Sequence, residues 1–361
     1  MLSSVVLLAL TTGPVDDSIE TIQAVGPSGQ GQVAARAAAT TLSGLTPDAL
    51  IPIASAMGRN PLADNWLVGA FETIADDAPT ADDLPIEEMK RFASDLENSP
   101  RGRRLVFELL RARGRDDGVP RLLHDPSPEM RYEAVNLTIE DAEKGERAVR
   151  ATLYKAALRG ATDPEQVERI VKALGEEGIE FDRLDHYRYL TDWKLIGPFD
   201  NKDEKAFDLA YPPEEDLAFG QTFSSDYGGE TASLSWQEAT VANESGELNL
   251  HEEMANHKGS VVYAVTAFES EDSQPIEFRV ATANAFKLWL NGELLFSRPE
   301  YHRSKRFDQY RIPAAAATGK NTVLIKLLQN EQDQSWAQDY DVAVRVTNPN
   351  GLAADVRPVT P

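Results

Sequence analysis

The stretch FKLWLNGELLF, Phe286 to Phe296, decides how the C-terminal half of the chain is read. With the period of two that a strand imposes, Phe286, Leu288 and Leu290 share one face, which leaves Trp289 beside Lys287 on the other. Asn291-Gly292 then accepts the positive φ angles of a two-residue type I′ turn, and ELLF returns as the partner strand. A tryptophan on the face that a strand ordinarily gives to water needs a cover. Either a second layer lies over it or it is a platform for a ligand.

The surrounding runs have the same character. WKLIGPF, ASLSWQEA, SVVYAVTAF, IEFRVAT, NTVLIKLL and YDVAVRV are alternating or apolar, are punctuated by Gly, Pro, Asn and Asp, and have no helical pattern between them. They predict an antiparallel β-sandwich from Asp185 onward. The half before it is punctuated differently. Thr46-Pro47, Asn60-Pro61, Ser99-Pro100, Ser127-Pro128 and Asp163-Pro164 each set an N-cap residue before a proline, the preferred start of a helix. Amphipathic stripes follow, such as Trp66, Leu67, Ala70, Phe71 and Ile74, or Val167, Ile170, Val171 and Leu174. Short helices that each hide one face must stack, which predicts an α-solenoid. The expected organisation is a leader over 1–12, a flexible linker over 13–28, helical repeats over 29–184, a sandwich over 185–348 and a flexible tail over 349–361. The fold class is therefore multidomain α + β, an N-terminal α-solenoid followed by an antiparallel jelly-roll sandwich.

Two resemblances sharpen this. DPSPEMRYEAVNL, Asp125 to Leu137, resembles the second-helix signature of HEAT repeats, and the likeness implies that Asp125 and Arg131 bridge adjacent repeats. FKLWLNGELLF, FDQYRIP and GKNTVLIKLLQNEQDQSW follow in the order seen in galactose-binding-like jelly rolls of the family 2 glycosidase type. The matching residues are Trp289, Asn291, Gly292, Gly319, Asn321, Val323, Ile325, Lys326 and Trp336. This likeness implies a fold and no activity, because the acid/base pair of those enzymes lies in a separate barrel. The order of the two modules also resembles uncharacterised exported proteins of planctomycete-type bacteria.

Charge and composition narrow the function classes. The 361 residues carry a formal net charge of −23, shared almost evenly by the two halves, and such a surface repels nucleic acid and anionic membrane. Without cysteine there is no disulfide, thiolate metal site or thiol nucleophile. The opening MLSSVVLLAL is apolar but too short to span a bilayer, and it reads as an export leader although it lacks a basic residue. No G-x-G-x-x-G, Walker or G-x-S-x-G motif occurs. HEEMANH, His251 to His257, spaces its histidines by six where a zincin helix needs four, and reads as a polar loop. Neighbouring carboxylates such as Asp76-Asp77 and Glu214-Glu215-Asp216 read as solvated loops. Asp333, Asp339 and Asp341 offer oxygen ligands for Ca²⁺ but lack a fixed ligand spacing, so no cofactor is expected.

The functional expectation is a non-catalytic, exported interaction protein with a protein partner, its alternative a carbohydrate-binding protein, and an unrecognised hydrolase a distant third. Arg104, Arg111 and Arg115 recur near one helical face and form a candidate docking patch, or else a solvated face neutralised by acidic neighbours. The candidate glycan or interface surface comprises Trp289, Trp236, Tyr301, Arg298 and Gln332. For Trp289 itself burial is the preferred reading, under Tyr187, Tyr189 or the loop PEYHRSKRFDQY, with glycan stacking as the other.

Overall fold

The computed structural model describes residues 13–361, and the expected leader over 1–12 lies outside the described residues. The described residues form two compact units, 13–177 and 178–361, a division seven residues before the expected one.

The first unit is helical: α1 (Pro14–Gln23), α2 (Gln32–Ser43), α3 (Leu50–Ala56), α4 (Pro61–Asp77), α5 (Ile86–Ser94), α6 (Pro100–Ala112), α7 (Pro128–Lys144), α8 (Arg147–Leu158) and α9 (Pro164–Glu176). From α5 onward each helix packs on the next in sequence, the arrangement of a solenoid. The Asn60, Ser99, Ser127 and Asp163 side chains accept hydrogen bonds from backbone N–H groups of the helices they precede. Thr46 opens only a 3₁₀ turn and caps nothing with its side chain. Helix α1 corrects the expectation of a linker over 13–28, since Ile19 and Ile22 are buried in the same core as Leu42, Ile53 and Leu67. Two apolar residues three apart, with Ser18, are enough to dock a helix of ten residues.

The implied inter-repeat contact has a definite chemistry. Arg103, from α6, donates from Nη1 and Nη2 to Asp125 at 3.0 and 2.8 Å, and both side chains are buried. Asp125 Oδ1 also accepts from Ser127 N, while Arg131 donates to the carbonyls of Asp125 and Gly160. One carboxylate thus ties α6 to the start of α7, and one guanidinium ties α7 to the turn after α8. That turn leaves no room for a side chain: a Cβ on Gly160 would lie 2.3 Å from the Leu123 carbonyl oxygen.

The second unit begins with the short helix α10 (Arg183–Tyr187) and continues as strands β1 (Asp192–Asp200), β2 (Thr222–Ser225), β3 (Ala232–Ser235), β4 (Gln237–Thr240) and β5 (Glu247–Asn249). After α11 (Leu250–Met254) come β6 (Ser260–Ser270), β7 (Gln274–Ala281), β8 (Ala285–Leu290), β9 (Glu293–Arg298), β10 (Tyr310–Ala316), β11 (Gly319–Gln329), β12 (Asp341–Thr347) and β13 (Arg357–Val359). The larger sheet has the order β4-β1-β6-β11-β8-β9, with β13 on β6, and the smaller one the order β10-β7-β12-β5. All pairings are antiparallel. The core between the sheets takes Phe286, Leu288 and Leu290 from β8, Val323, Ile325 and Leu327 from β11, and Phe278 and Val344 from the smaller sheet. Asn291 and Gly292 both have positive φ, as the turn requires. The expected flexible tail is another correction. Ala354 and Val356 enter this core, and β13 pairs with Glu269, Phe268 and Ala267 of β6.

The outer face of the larger sheet carries a second apolar layer, which answers the question posed by Trp289. Trp289 is 8% exposed and clusters with Tyr263, Val265, Leu324 and Leu328 of the sheet. The cover comes from the segment after β1 and the β2–β3 hairpin, through Phe207, Tyr211, Leu217, Phe223, Leu234 and Trp236, with Tyr301 at its margin. Tyr187 does not serve as the lid; its ring packs against Phe307 and under the Arg345 guanidinium. Electrostatics hold the cover down. Lys326 is fully buried on this face and donates to the Leu209 carbonyl (2.6 Å) and to Glu214 Oε1 (2.8 Å), which also accepts from the Tyr263 hydroxyl. Lys287 reaches Asp208 and lies over the Phe207 ring. Burial lowers the pKa of Lys326, and burial with the Glu214 contact raises that of Tyr263.

Candidate functional site

The strand register gathers four connecting segments at one end of the sandwich. Asp200 pairs with Ser260, Ser260 with Gln329, Leu328 with Ala285, and Phe286 with Arg298. The segments that follow β1, β9 and β11, and the one that leads into β6, therefore meet there. They bring Asn201 and Glu204, Tyr301 and His302, Asn330 through Trp336, and Lys258 into one neighbourhood.

Trp336 stands out in it. Its indole is 60% exposed, whereas Trp193 and Trp289 are buried and Trp236 is half-buried. The ring stands edge-on to His302, with centroids 5.3 Å apart and planes at 88°. His302 has a left-handed backbone (φ 53°), which commits its side chain to this place. Asn330 links the parts: its amide donates to Glu204 Oε1 (2.9 Å) and Gln332 Oε1 (3.1 Å), and its Oδ1 accepts from Gln332 N (3.2 Å). That orientation makes Oδ1 the acceptor for His302 Nε2 at 2.7 Å. Nε2–H then donates to Asn330, and Nδ1 is buried with no partner among the described residues.

The loop that presents Trp336 is braced from below. Lys258 Nζ donates to the Ala337 carbonyl (2.7 Å), His251 Nε2 contacts the Gln338 carbonyl, and the Gln338 amide returns to the Asp333 and Gln334 carbonyls. Burial lowers the pKa of Lys258, opposed by Asp333. Asn201, itself buried, donates to the Tyr301 hydroxyl (3.1 Å) and to the Gln329 carbonyl. Burial pushes the Tyr301 phenol up to about 12 against that hydrogen bond. An exposed indole on a braced loop, rimmed by amide, imidazole and carboxylate groups, can stack on a flat ligand and hydrogen-bond its edges.

The residues singled out in the sequence fall in several places. Tyr301 and Gln332 belong to this neighbourhood. Arg298 pairs with Glu300 at 2.6 Å and lies over the Tyr310 ring. Trp236 is part of the cover, its Nε1 donating to the Leu217 carbonyl at 2.7 Å. Trp289 is under that cover, so it offers no open face for a ligand, which corrects its place in a glycan surface. The expected docking patch in the helical unit is engaged internally: Arg104 with Glu108 and Glu133, Arg111 with Glu140 and Glu133, Arg115 with Asp82. Of the carboxylates considered for Ca²⁺, Asp341 accepts from Lys305 at 2.9 Å. His251 and His257 do not converge; His257 stands edge-on to Tyr227. Trp336 was visible in the sequence only as part of the jelly-roll likeness, although a lone aromatic in the polar run NEQDQSW was a signal for an exposed ring.

No protein-family model and no curated protein matches the chain. Among solved structures it is similar to the β-glucosidase of Kluyveromyces marxianus in complex with glucose, at 9% identity and a TM-score of 0.24, over 43% of this chain and 16% of that one. The selenomethionine-labelled form of the same β-glucosidase aligns at 11% identity and a TM-score of 0.28, over 80% of this chain and 33% of that one. The chain thus spans a third or less of the length of either, and at these scores the likeness carries no argument about function.

Proposed function

We propose that the chain is a non-catalytic binding protein whose sandwich takes a carbohydrate at the loop end around Trp336, with the helical stack as its second, interaction module. The observation that supports this reading is the contrast among the tryptophans of the sandwich: Trp336 is 60% exposed on a braced loop while Trp193 and Trp289 are buried. A large aromatic left open to water is a solubility cost, and stacking on the apolar face of a sugar ring removes it. Asn330, Gln332 and Glu204, already joined by hydrogen bonds, supply polar groups beside the ring. The test is an oligosaccharide array probed with the full chain and with Trp336→Ala. Retention of one or more oligosaccharides by the wild type, weakened on the order of tenfold or more in a variant with unchanged circular dichroism, supports the reading. Absence of any retention by the wild type, or equal retention by the variant, overturns it.

A further inference from the structure

Residues 201–236 cover the outer face of the larger sheet without belonging to it. The segment leaves at the end of β1 and returns at β4, which pairs with β1, and its own strands β2 and β3 pair with each other. It can therefore part from the sandwich without breaking a hydrogen-bond ladder of either sheet. The apolar layer beneath it, with Trp289, Tyr263, Val265 and Leu324, is distinct from the core between the sheets. Three of its residues other than glycine, Asp203, Glu204 and Ala218, have left-handed φ angles of 59°, 59° and 38°, a strain that the closed position maintains.

The attachment centres on one charged group. Lys326 and Lys287 stand directly opposite each other on β11 and β8, an arrangement that repels unless acidic groups intervene. The segment supplies them, Glu214 to Lys326 at 2.8 Å and Asp208 to Lys287 at 3.2 Å. Lys326 is fully buried, and its hydrogen bonds to Glu214 and to the Leu209 carbonyl both end on the segment. Other ties are single hydrogen bonds, such as those from the Tyr211 hydroxyl to the Asp200 carbonyl, from the Ser225 hydroxyl to the Pro198 carbonyl and from the Asn330 amide to Glu204. We infer that residues 201–236 form a strap that opens as a unit while the sandwich stays folded, with Glu214 on Lys326 as its catch. Closed, the strap hides Trp289, Tyr263 and Lys326; open, it bares a cationic, aromatic face on a chain whose net charge is −23. Such a catch holds because breaking it leaves a charge unpaired, whereas two neutral groups in its place hold about as well.

The chain has no cysteine, so a single thiol can be placed on either face of one strand. Val265 and Val262 of β6 are both fully buried, Val265 in the layer beneath the strap and Val262 in the core between the sheets. The full chain with Val265→Cys, and separately with Val262→Cys, is labelled at pH 8 with the uncharged reagent 4,4′-dithiodipyridine. Labelling of Val265→Cys is expected to be faster by about tenfold or more, because local opening costs less than global unfolding. Adding Glu214→Gln should speed it by about a further tenfold or more and leave Val262→Cys unchanged, and adding Lys326→Met as well should return the rate toward that of Val265→Cys alone. Equal labelling of the two positions overturns the strap, since the cover then leaves only when the whole unit unfolds. An unchanged rate with Glu214→Gln, or a parallel rise at Val262→Cys, overturns the catch. Should Glu214→Gln fail to fold, the ratio of the two rates in the otherwise unaltered chain still decides the strap. The Glu214→Gln/Lys326→Met pair then decides the catch, which is overturned if that pair labels as fast as the unfolded chain.

Discussion

Replacing Trp289 by alanine separates a packed second layer from a surface aromatic. The ring is 8% exposed, with Leu324 and Tyr263 of the sheet and the covering segment packed in the same cluster. Removing an indole of about 150–250 Å² at roughly 25 cal/mol per Å² gives about 4–6 kcal/mol of lost transfer free energy. Measured aromatic-to-alanine changes in cores cluster at about 3–5 kcal/mol because the surroundings relax in part. The cover here is an irregular segment with partly exposed Phe207 and Leu217, so it can settle into the gap; the expected cost is about 3 kcal/mol, the lower end of that range. Guanidinium denaturation of the full chain followed by tryptophan emission measures it, since Trp193, Trp236 and Trp336 remain in the sandwich and only Trp66 reports the helices. Far-UV circular dichroism at 222 nm, weighted to the helical unit, should shift little. A loss below about 1 kcal/mol, the ordinary size of a surface substitution, would refute the packed-layer argument.

The helical unit offers a second test: Asp125→Ala leaves the buried Arg103 guanidinium without its carboxylate and Ser127 N without an acceptor, and should destabilise by about 3–5 kcal/mol, read as a lower midpoint at 222 nm. An alkaline titration supplies a third. Burial raises the Tyr189 phenol to about 12 from an ordinary value near 10, so the folded unit keeps a proton that the unfolded chain releases. That contribution is fully present below pH 10 and is lost as the pH rises toward 12, by roughly 2–3 kcal/mol, and Tyr189→Phe should flatten the decline in denaturation midpoint over that window. A midpoint that holds steady from pH 10 to 12 in the wild type would contradict it.

What could be read from sequence follows periodicity. Strand β8 and its turn were legible because Phe286, Leu288 and Leu290 alternate and Asn291-Gly292 has a conformation of its own. Strands β2, β5 and β13 escaped because they are only three or four residues long, and β13 owes its place to the distant β6; β10 has seven residues, but Pro313 and a run of alanines hide its alternation. Arg103 escaped for another reason. It stands on the buried stripe of α6 with Val106, Phe107 and Leu110, three, four and seven residues on, but a lone arginine on such a stripe looks like a charge that reaches out to water. Its distant partner Asp125, in the loop before α7, and the Ala93 carbonyl, which accepts from Nε, make burial tolerable.

The second layer over β8 explains why Trp289, and not Trp336, looks like the open aromatic in the sequence. The part of the cover after β1 has no regular structure and so no period, and Phe207, Tyr211 and Leu217 look like scattered apolar residues in an acidic loop, while Phe223 and Leu234 sit on the short, otherwise polar strands β2 and β3. Lys326 and Lys287, which alternation places beside Trp289 on the same face, were the available clue. Two lysines and a tryptophan facing outward suit a solvated surface, yet Lys326 is fully buried and both ammonium groups meet carboxylates of the covering segment, Glu214 and Asp208. An acidic segment that also carries aromatic residues is what such a face needs as a lid, because it supplies charge for the lysines and apolar area for the indole at once. The two tryptophans therefore differ through their neighbours: Trp289 lies on a strand paired on both sides, between β11 and β9, on a face that a folded-back segment covers, and Trp336 on a turn beyond the strand ends.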